Sequence, residues 1–337
     1  MKGSRARARL KDIAEATGFS ANTVSLALRG SLRLPEETRE RILKAAELLN
    51  YQPNKIARSL VHSASRTIGL VMTNIMNPTL TLAAHTIESE LTLAGYAMMF
   101  AASDSSVDNE RRAIELFISY QVDGILVYPA NHREYQHLKA ADEAGTPVLM
   151  LVGLPGSGLD TVTIDDKAGA YKAVRHLCAK GHRRIAMLDG GRALGNFDKM
   201  RGAQLAAKEA GLGEDAIMVF EPDGRSPSHG YAAMARIVAA EPRPTALFAS
   251  TDQLAIGALH WCRENGVTVP GDMAVVGYDN TEISKYGALP LTTVNYAADE
   301  ISRLGVDRIL KRIEDRNAWG APDVRLIEPE LVIRDST

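Results

Sequence analysis

The chain has 337 residues, of which 45% are hydrophobic and 24% are charged, and its formal net charge is -2. This length predicts two or three domains, and the composition is typical of a soluble globular protein. No apolar run approaches the roughly 18 residues of a membrane span, and the basic first ten residues lack the apolar core of a secretory signal. Together with only two cysteines, Cys178 and Cys262, these features predict a cytoplasmic protein.

The charge is distributed unevenly along the chain. Residues 1–60 contain 12 Lys/Arg and 6 Asp/Glu, a net charge of +6, so the remainder carries -8. A basic segment ahead of an acidic body favours a polyanionic partner for the segment and a different role for the body. A merely solvated basic tail is the alternative, but this segment also has helical apolar periodicity.

The first fifty residues show the spacing of three helices. Residues 10–16 and 21–28 form two short apolar-periodic segments, and Gly18 between them tolerates a left-handed turn. Ser20 is suited to cap the second segment. Pro35 favours the start of a third helix, through Leu49, with a buried stripe of Ile42, Ala45, Ala46 and Leu49. Two short helices resting on a third predict a helix-turn-helix unit, whose second helix enters the major groove of DNA.

From Thr67 onward the pattern changes to short apolar runs separated by helical segments. Parallel strands that are buried on both faces have this pattern, so the body is predicted to be α/β, with two doubly wound halves separated at 153–160. A cleft between two such halves places ligand groups at the carboxyl ends of strands. The runs are 67–73, 96–103, 124–129, 147–153, 184–190, 217–222, 246–251 and 273–280.

Several stretches resemble the lactose-repressor (LacI/GalR) family, and they follow the family order over nearly the whole chain. They include LKDIAEATGFSANTVSLALRG (10–30), LNYQPNKIARSL (49–60), RTIGLVMTNIMNP (66–78) and TDQLAIGALHWCRENGVTVPGDMAVVGYDN (251–280). The resemblance implies an all-α helix-turn-helix head, a hinge helix or linker, and a periplasmic-binding-protein-like core for effector binding and dimerisation. The corresponding ranges are 1–52, 53–63 and 64–337.

The resemblance also implies how the chain divides between the two lobes of the core. We expect three crossings between lobes, near 161–166, 290–294 and 320–324. Lobe 1 would then comprise about 67–161 and 292–321, and lobe 2 about 165–290 and 323–337.

The residues that would meet DNA follow from the same resemblance. Base-reading positions of the recognition helix correspond to Ala21, Asn22 and Leu26, of which Asn22 can pair with adenine and the others offer apolar contact. Leu60 matches the hinge leucine that wedges into the minor groove, although a linker residue packing on the core is the alternative. The other DNA-binding candidates, mostly suited to hold phosphates, are Lys11, Ser20, Thr23, Ser25, Arg29, Arg33, Tyr51, Asn54 and Ala57.

Effector contacts are expected where strands end. Asp279 matches the family aspartate that accepts hydrogen bonds from the effector; a helix cap or a salt bridge is the alternative role. Relatives often have aromatic residues at the positions of Thr79 and Arg225 and an arginine at that of Lys199. Arg225 favours an effector that carries a carboxylate or phosphate, such as an anionic sugar derivative. The further effector-binding candidates are Asn74, Leu80, Ser103, Asp104, Tyr128, Arg201 and Thr251.

These features predict a ligand-responsive, sequence-specific transcriptional regulator, most simply a repressor that binds a palindromic operator as a homodimer. Its expected partners are double-stranded DNA and a small-molecule effector, without cofactor, metal or membrane. A nucleotide-binding enzyme is disfavoured because DGGRALG (189–195) lacks the GxGxxG spacing and the eight histidines show no metal-ligand spacing. The other alternative is a free solute-binding protein, which the basic helical head and the absent signal sequence disfavour.

Overall fold

A computed structural model describes residues 8–28, 30, 31, 33–51, 64–154, 156–315 and 322–337, except for the side chains of residues 192 and 193. The chain divides into two compact units, residues 1–65 and 66–337, which we call the head and the core. None of the described helices is long and apolar enough to cross a membrane.

The head contains the three predicted helices, α1 (Leu10–Thr17), α2 (Ala21–Leu28) and α3 (Glu36–Leu48). Gly18 has a φ of 74° and turns the chain between α1 and α2, as predicted. The Ser20 Oγ accepts a hydrogen bond from the Thr23 N–H at 3.1 Å and so caps α2. A small apolar core joins the helices through Ile13, Val24, Ala27, Ile42 and Ala46.

The prediction that Leu49 completes the buried stripe of α3 is wrong. The helix ends at Leu48, and the Leu49 side chain is 38% exposed. The Leu49 N–H still donates to the Ala45 carbonyl at 3.0 Å, so Leu49 follows the helix, but it lies at the helix end, outside the small head core. Ala45 is only partly buried against the head core.

The first lobe of the core is built on a six-stranded parallel sheet of order β11-β5-β4-β3-β1-β2. Helices α4 (Pro78–Leu93) and α12 (Ala298–Glu314) cover one face, and α5 (Val107–Ser119) and α6 (Gln136–Glu143) cover the other. The strands are β1 (Thr67–Met72), β2 (Ala97–Ala102), β3 (Gly124–Val127), β4 (Val148–Met150), β5 (Asp160–Ile164) and β11 (Val324–Ile327).

The second lobe has a sheet of order β12-β10-β9-β8-β6-β7, parallel except for β12, which runs antiparallel to β10. Helices α7 (Asp166–Ala179) and α8 (Asp198–Glu209) cover one face, and α9 (Pro227–Val238) and α10 (Asp252–Glu264) the other. The strands are β6 (Ile185–Leu188), β7 (Ile217–Phe220), β8 (Ala246–Ala249), β9 (Ala274–Asp279), β10 (Thr292–Asn295) and β12 (Glu330–Val332); the short helix α11 is Glu282–Tyr286.

All eight apolar runs contain strands, but two of the expected lobe crossings are wrong. Thr292–Asn295 pairs with β9 and belongs to lobe 2, whereas Val324–Ile327 pairs with β5 and belongs to lobe 1. The chain therefore crosses at residue 165, at 296–297 and at 328–329, and not near 290–294 or 320–324. These strands are short and contain threonine or arginine, so their sequences resemble connections more than buried strands.

Helices α9 and α10 approach each other closely at Gly257, where a Cβ would lie 1.8 Å from the Pro227 carbonyl oxygen. We expect Gly257→Ala to lower the free energy of unfolding by about 1–3 kcal/mol, because the two helices must move apart. Urea denaturation measures this loss. Gly213→Ala is the matched control, since a Cβ there meets no atom within 4 Å. Equal stability of the two variants would contradict the close packing.

Candidate functional site

The surface of the head presents the start of α2. Ala21 and Asn22 are exposed, and Thr23 and Leu26 are half-buried, while Val24 is buried against the other two helices. The base-reading candidates therefore lie on the face of α2 that does not pack inside the head. Leu26 is less exposed than the sequence suggested, so it offers only part of its side chain to a partner.

The remaining DNA-binding candidates divide into three groups. Lys11 and Arg33 are exposed, whereas Ser25 is half-buried. Tyr51 packs against the head core, so its ring has a structural role. Four candidates lie outside the described residues, as does the whole predicted hinge at 53–63: Arg29, Asn54, Ala57 and Leu60.

Arg41 of α3 stabilises the turn between the first two helices, a role that the sequence analysis did not assign. Its guanidinium donates a hydrogen bond to the Thr17 carbonyl at 3.3 Å and lies 5.2 Å from the centroid of the Phe19 ring. This positive charge therefore fixes the entry into α2 rather than simply extending the basic surface.

A cleft in the core is lined by residues that follow strands of both sheets. Thr73 follows β1 and Tyr128 follows β3 in lobe 1, while Asp189 follows β6 and Asp279 ends β9 in lobe 2. The carboxyl ends of both parallel sheets thus meet at one site, which is where α/β folds of this kind bind ligands.

Seven of the eleven predicted effector residues line this cleft: Thr79, Leu80, Tyr128, Lys199, Arg225, Thr251 and Asp279. The structure does not bring the other four to it. Asn74 Oδ1 accepts a turn hydrogen bond from the Met76 N–H, and the buried Ser103 hydroxyl donates to the Met72 carbonyl. Asp104 is exposed in the turn after the edge strand β2, and Arg201 pairs with Asp198 on the surface of α8.

Several residues of the cleft were missed by the sequence analysis. Asp189 directly follows β6, so the rule that predicted Asp279 would have found it as well. Asp166 escaped because the preceding segment was assigned only as a crossing. His132 and Asn196 come from connecting loops, where no sequence periodicity indicates which side chains point inward.

Asp279 occupies an unusual environment. Its φ is 115°, a strained value for a residue with a side chain, and no hydrogen bond to its carboxylate occurs among the described residues. Burial raises its pKa well above the ordinary range, the nearby Asp252 raises it further, and Lys199 and Arg225 oppose this. A half-buried carboxylate that lines the cleft without a described donor is suited to accept hydrogen bonds from a ligand.

Asp252 holds the chain next to Asp279. Its Oδ2 accepts hydrogen bonds from the Thr281 N–H at 2.7 Å and the Thr281 hydroxyl at 2.9 Å, and its Oδ1 accepts one from the Thr293 hydroxyl at 2.6 Å. Burial raises the Asp252 pKa, although these hydrogen bonds lower it. Asp252 is therefore satisfied by protein donors, in contrast to Asp279.

The cations of the cleft also differ in their partners. The Lys199 Nζ lies 3.1 Å from the Ser250 carbonyl oxygen and 3.7 Å from Asp166 Oδ1, so its charge is already balanced. Arg225 makes no ion pair or hydrogen bond within the described ranges, and its guanidinium is available to an anion. Burial lowers the His132 pKa and Arg225 lowers it further, although Asp166 and Asp198 oppose this.

Two hydroxyl groups on the lobe 1 side of the cleft are buried without a hydrogen-bond partner in the described structure. They are the Thr79 Oγ1 and the Tyr128 hydroxyl. Burial also raises the pKa of Tyr128, so its hydroxyl stays protonated, although the neighbouring Tyr296 hydroxyl opposes this rise. Leaving such groups unpaired costs about 1–3 kcal/mol each, which a polar ligand can recover.

A helix-turn-helix head and a two-lobed core with a polar cleft define a DNA-binding regulator with a ligand-binding domain. Residues 9–54 match the family of bacterial regulatory proteins described as the lacI family, and residues 174–337 match a periplasmic binding protein-like domain. The HTH-type transcriptional repressor PurR of Aliivibrio salmonicida is 30% identical over 335 residues, covering 98% of both chains.

Two solved structures support the same assignment. A lac repressor dimer bound to operator and the anti-inducer ONPF has a TM-score of 0.87 at 26% identity, covering 98% of this chain and 99% of that one. The transcriptional regulator CelR in complex with cellobiose has a TM-score of 0.72 at 26% identity, covering 98% and 100%. The chain therefore belongs to the lacI family of DNA-binding transcriptional regulators, as the sequence resemblance indicated.

Asp279→Asn is expected to stabilise the unliganded protein. Folding raises the pKa of Asp279 above the ordinary aspartate pKa of about 4. This residue therefore lowers the free energy of unfolding as the pH rises above about 4. Removing the charge should therefore add about 0.5–2 kcal/mol at pH 7, and the gain should shrink towards pH 4. Melting temperatures across this pH range test the prediction.

Asp252→Asn is the matched control, and it should have the opposite effect. An amide nitrogen at this position would face the Thr281 and Thr293 donors, so hydrogen bonds would be lost. If Asp279→Asn destabilised the protein as much as Asp252→Asn did, the Asp279 carboxylate would not be the unpaired, strained group described above.

Proposed function

We propose that this protein is a ligand-responsive repressor of the cytoplasm that binds a palindromic operator as a homodimer. Its effector is a small hydroxylated metabolite that carries a carboxylate or phosphate. The observation that supports this proposal most strongly is a cleft with two buried hydroxyls, of Thr79 and Tyr128, that have no hydrogen-bond partner in the described structure, in the same chain as a helix-turn-helix head.

The DNA-binding part of the proposal rests on the head. Its charge is positive, and the start of α2 leaves Ala21 and Asn22 exposed for contact with base edges. The related lac repressor dimer is bound to operator, which supports the same use of this head. Leu60 and the hinge at 53–63 remain predictions.

The homodimer is supported by apolar side chains that the core leaves exposed on neighbouring elements of lobe 1. Leu93 ends α4 with 83% of its side chain exposed, and Phe100 of β2 and Leu116 of α5 are also exposed. Exposed large apolar side chains on adjoining elements favour an interaction surface at this edge of the lobe. A second copy of the chain is the partner that a two-fold operator requires.

The effector class follows from the donors and acceptors of the cleft. Asp279 needs a hydrogen-bond donor, and the Thr79 and Tyr128 hydroxyls need partners on the opposite side. A polyol supplies all of these, and the related CelR protein is in complex with the sugar cellobiose. Arg225 adds a guanidinium that has no ion pair or hydrogen bond among the described residues, and this group matches a carboxylate or phosphate of the same ligand.

A thermal-shift series with glucose, gluconate and glucose 6-phosphate tests the predicted charge of the effector. We expect the acidic members to raise the melting temperature more than glucose does, because only they can pair with Arg225. Arg225→Gln should remove this preference, whereas Arg201→Gln should keep it, since Arg201 lies outside the cleft. If only neutral sugars raised the melting temperature, in this series and in matching series built on other sugars, the prediction of an anionic effector would be wrong.

Two head variants test how DNA is read. Asn22→Ala should weaken binding to an operator selected from random duplexes by about 1–3 kcal/mol and leave nonspecific binding nearly unchanged. Arg33→Ala should weaken binding to all duplexes and reduce the slope of log affinity against log salt by about 1. Fluorescence anisotropy over a salt series measures both effects. Identical losses on specific and random DNA for Asn22→Ala would contradict its role in base reading.

A further inference from the structure

The loop between β3 and α6 contacts lobe 2 at the edge of the cleft. The His132 N–H of this loop donates a hydrogen bond to the Leu194 carbonyl at 2.9 Å. Leu194 ends the 3-10 turn Gly191–Leu194, which follows β6 of lobe 2. The main chains of the two lobes are therefore joined by a direct hydrogen bond.

A side-chain contact lies beside this hydrogen bond. The Arg133 guanidinium of lobe 1 lies 5.6 Å from the centroid of the Phe197 ring of lobe 2, within the range of a cation–π interaction. The two lobes approach each other closely here: a Cβ on Gly195 of lobe 2 would lie only 2.7 Å from the Arg133 Cγ of lobe 1. Gly195 also has a φ of 80°, so glycine suits both the backbone and the space.

On the lobe 1 side, the contact loop is anchored by a buried carboxylate. Glu110 of α5 is fully buried, and its Oε2 accepts a hydrogen bond from the Ala130 N–H at 2.6 Å. Its Oε1 lies 2.7 Å from the His137 Nε2, which ties the loop to α6 as well. The Asn131 Oδ1 accepts a hydrogen bond from the Arg133 N–H at 2.8 Å and so fixes the backbone at Arg133.

The lobe 2 side is anchored in the same way. The Asp189 Oδ1 accepts a hydrogen bond from the Gly191 N–H at 3.1 Å, and the Asn196 N–H donates to the Gly191 carbonyl at 2.9 Å. The Asn196 Oδ1 then accepts the Asp198 N–H at the start of α8. Both partners in the contact are thus loops held by their own hydrogen bonds, and such loops can transmit a change at the contact to the cleft wall.

We propose that residues 130–133 and 194–197 form an interlobe clamp that sets the balance between open and closed clefts. Arg133 and Phe197 act as positioning residues, since neither lines the cleft, whereas His132, Leu194 and Asn196 belong to both the clamp and the cleft wall. The clamp stabilises the closed cleft before a ligand binds, and so it raises the affinity for any ligand that requires closure. This inference rests on the proposed effector cleft.

Hydrogen exchange at the His132 amide tests the clamp in the full-length protein without added ligand. This amide is protected only while the two lobes are joined, so its exchange rate reports opening. We expect Arg133→Ala and Phe197→Ala each to speed its exchange about fivefold, the loss expected for one cation–π contact. Phe197→Tyr keeps the aromatic ring and should restore protection.

Arg175→Ala is the matched control, because the Arg175 guanidinium lies 5.5 Å from the Tyr171 ring within α7 and does not join the lobes. It should leave the His132 amide unchanged. Amides of β3 and β6 should keep their protection in every variant, which distinguishes opening of the clamp from loss of folding. Unchanged His132 exchange in both alanine variants, or equal acceleration by Arg175→Ala, would overturn the clamp. Neither result depends on the identity of the effector or on DNA binding.

Discussion

The core is organised around a half-buried carboxylate at the end of β9. Asp279 has a strained backbone, and its carboxylate accepts no hydrogen bond from the residues that the structure describes, while its neighbour Asp252 is hydrogen-bonded to Thr281 and Thr293. Hydrogen bonds to Asp252 thus hold the segment that follows β9, whereas the Asp279 carboxylate, which faces the cleft, is left for a ligand. A ligand that donates to Asp279 recovers the cost of its burial, so ligand binding is coupled to a conformation that is otherwise strained.

The two sheets explain why such a group lies at the junction between lobes. All strands but one run parallel, so their carboxyl ends gather at one edge of each sheet, and three crossings hold these two edges at a common cleft. Within the described residues, lobe 1 contributes two hydroxyls without a partner, and lobe 2 contributes Asp279 and an Arg225 without an ion pair. A ligand must touch both lobes to satisfy all of these groups. The ligand therefore binds one arrangement of the lobes more tightly than others. Such a difference in affinity is what a ligand needs in order to shift the conformation of the protein and so affect a distant site.

Much of the architecture could be predicted from the sequence because it rests on periodicity. Helical spacing located α1 to α3, and eight of the twelve described strands lie in the apolar runs. The four missed strands, β5, β10, β11 and β12, each contain at least one polar or charged residue that interrupts the apolar pattern, and β10 and β11 overlap the two ranges where crossings were wrongly placed. Their pairing depends on partners far along the chain, which local pattern does not reveal.

Only part of the cleft could be predicted, because its residues also depend on how distant strands and loops are arranged. The strand-end rule found Tyr128 and Asp279, but it also selected Ser103 and Asp104 after β2. That strand is at the edge of its sheet, and sequence alone does not give the strand order. Residues such as His132 come from loops, where the direction of a side chain is set by contacts between lobes. Resemblance to a family supplied Lys199 and Arg225, which no periodicity would have singled out.

The central claim is that occupancy of the cleft and binding of DNA by the head are thermodynamically linked. The most direct test is to measure the affinity of the full-length protein for a selected operator with and without a saturating acidic sugar derivative, and then the affinity for that compound with and without operator. Linkage predicts that both affinities change by the same factor, typically about 5- to 150-fold. If operator and compound both bound tightly but neither changed the affinity for the other, the claim would be contradicted.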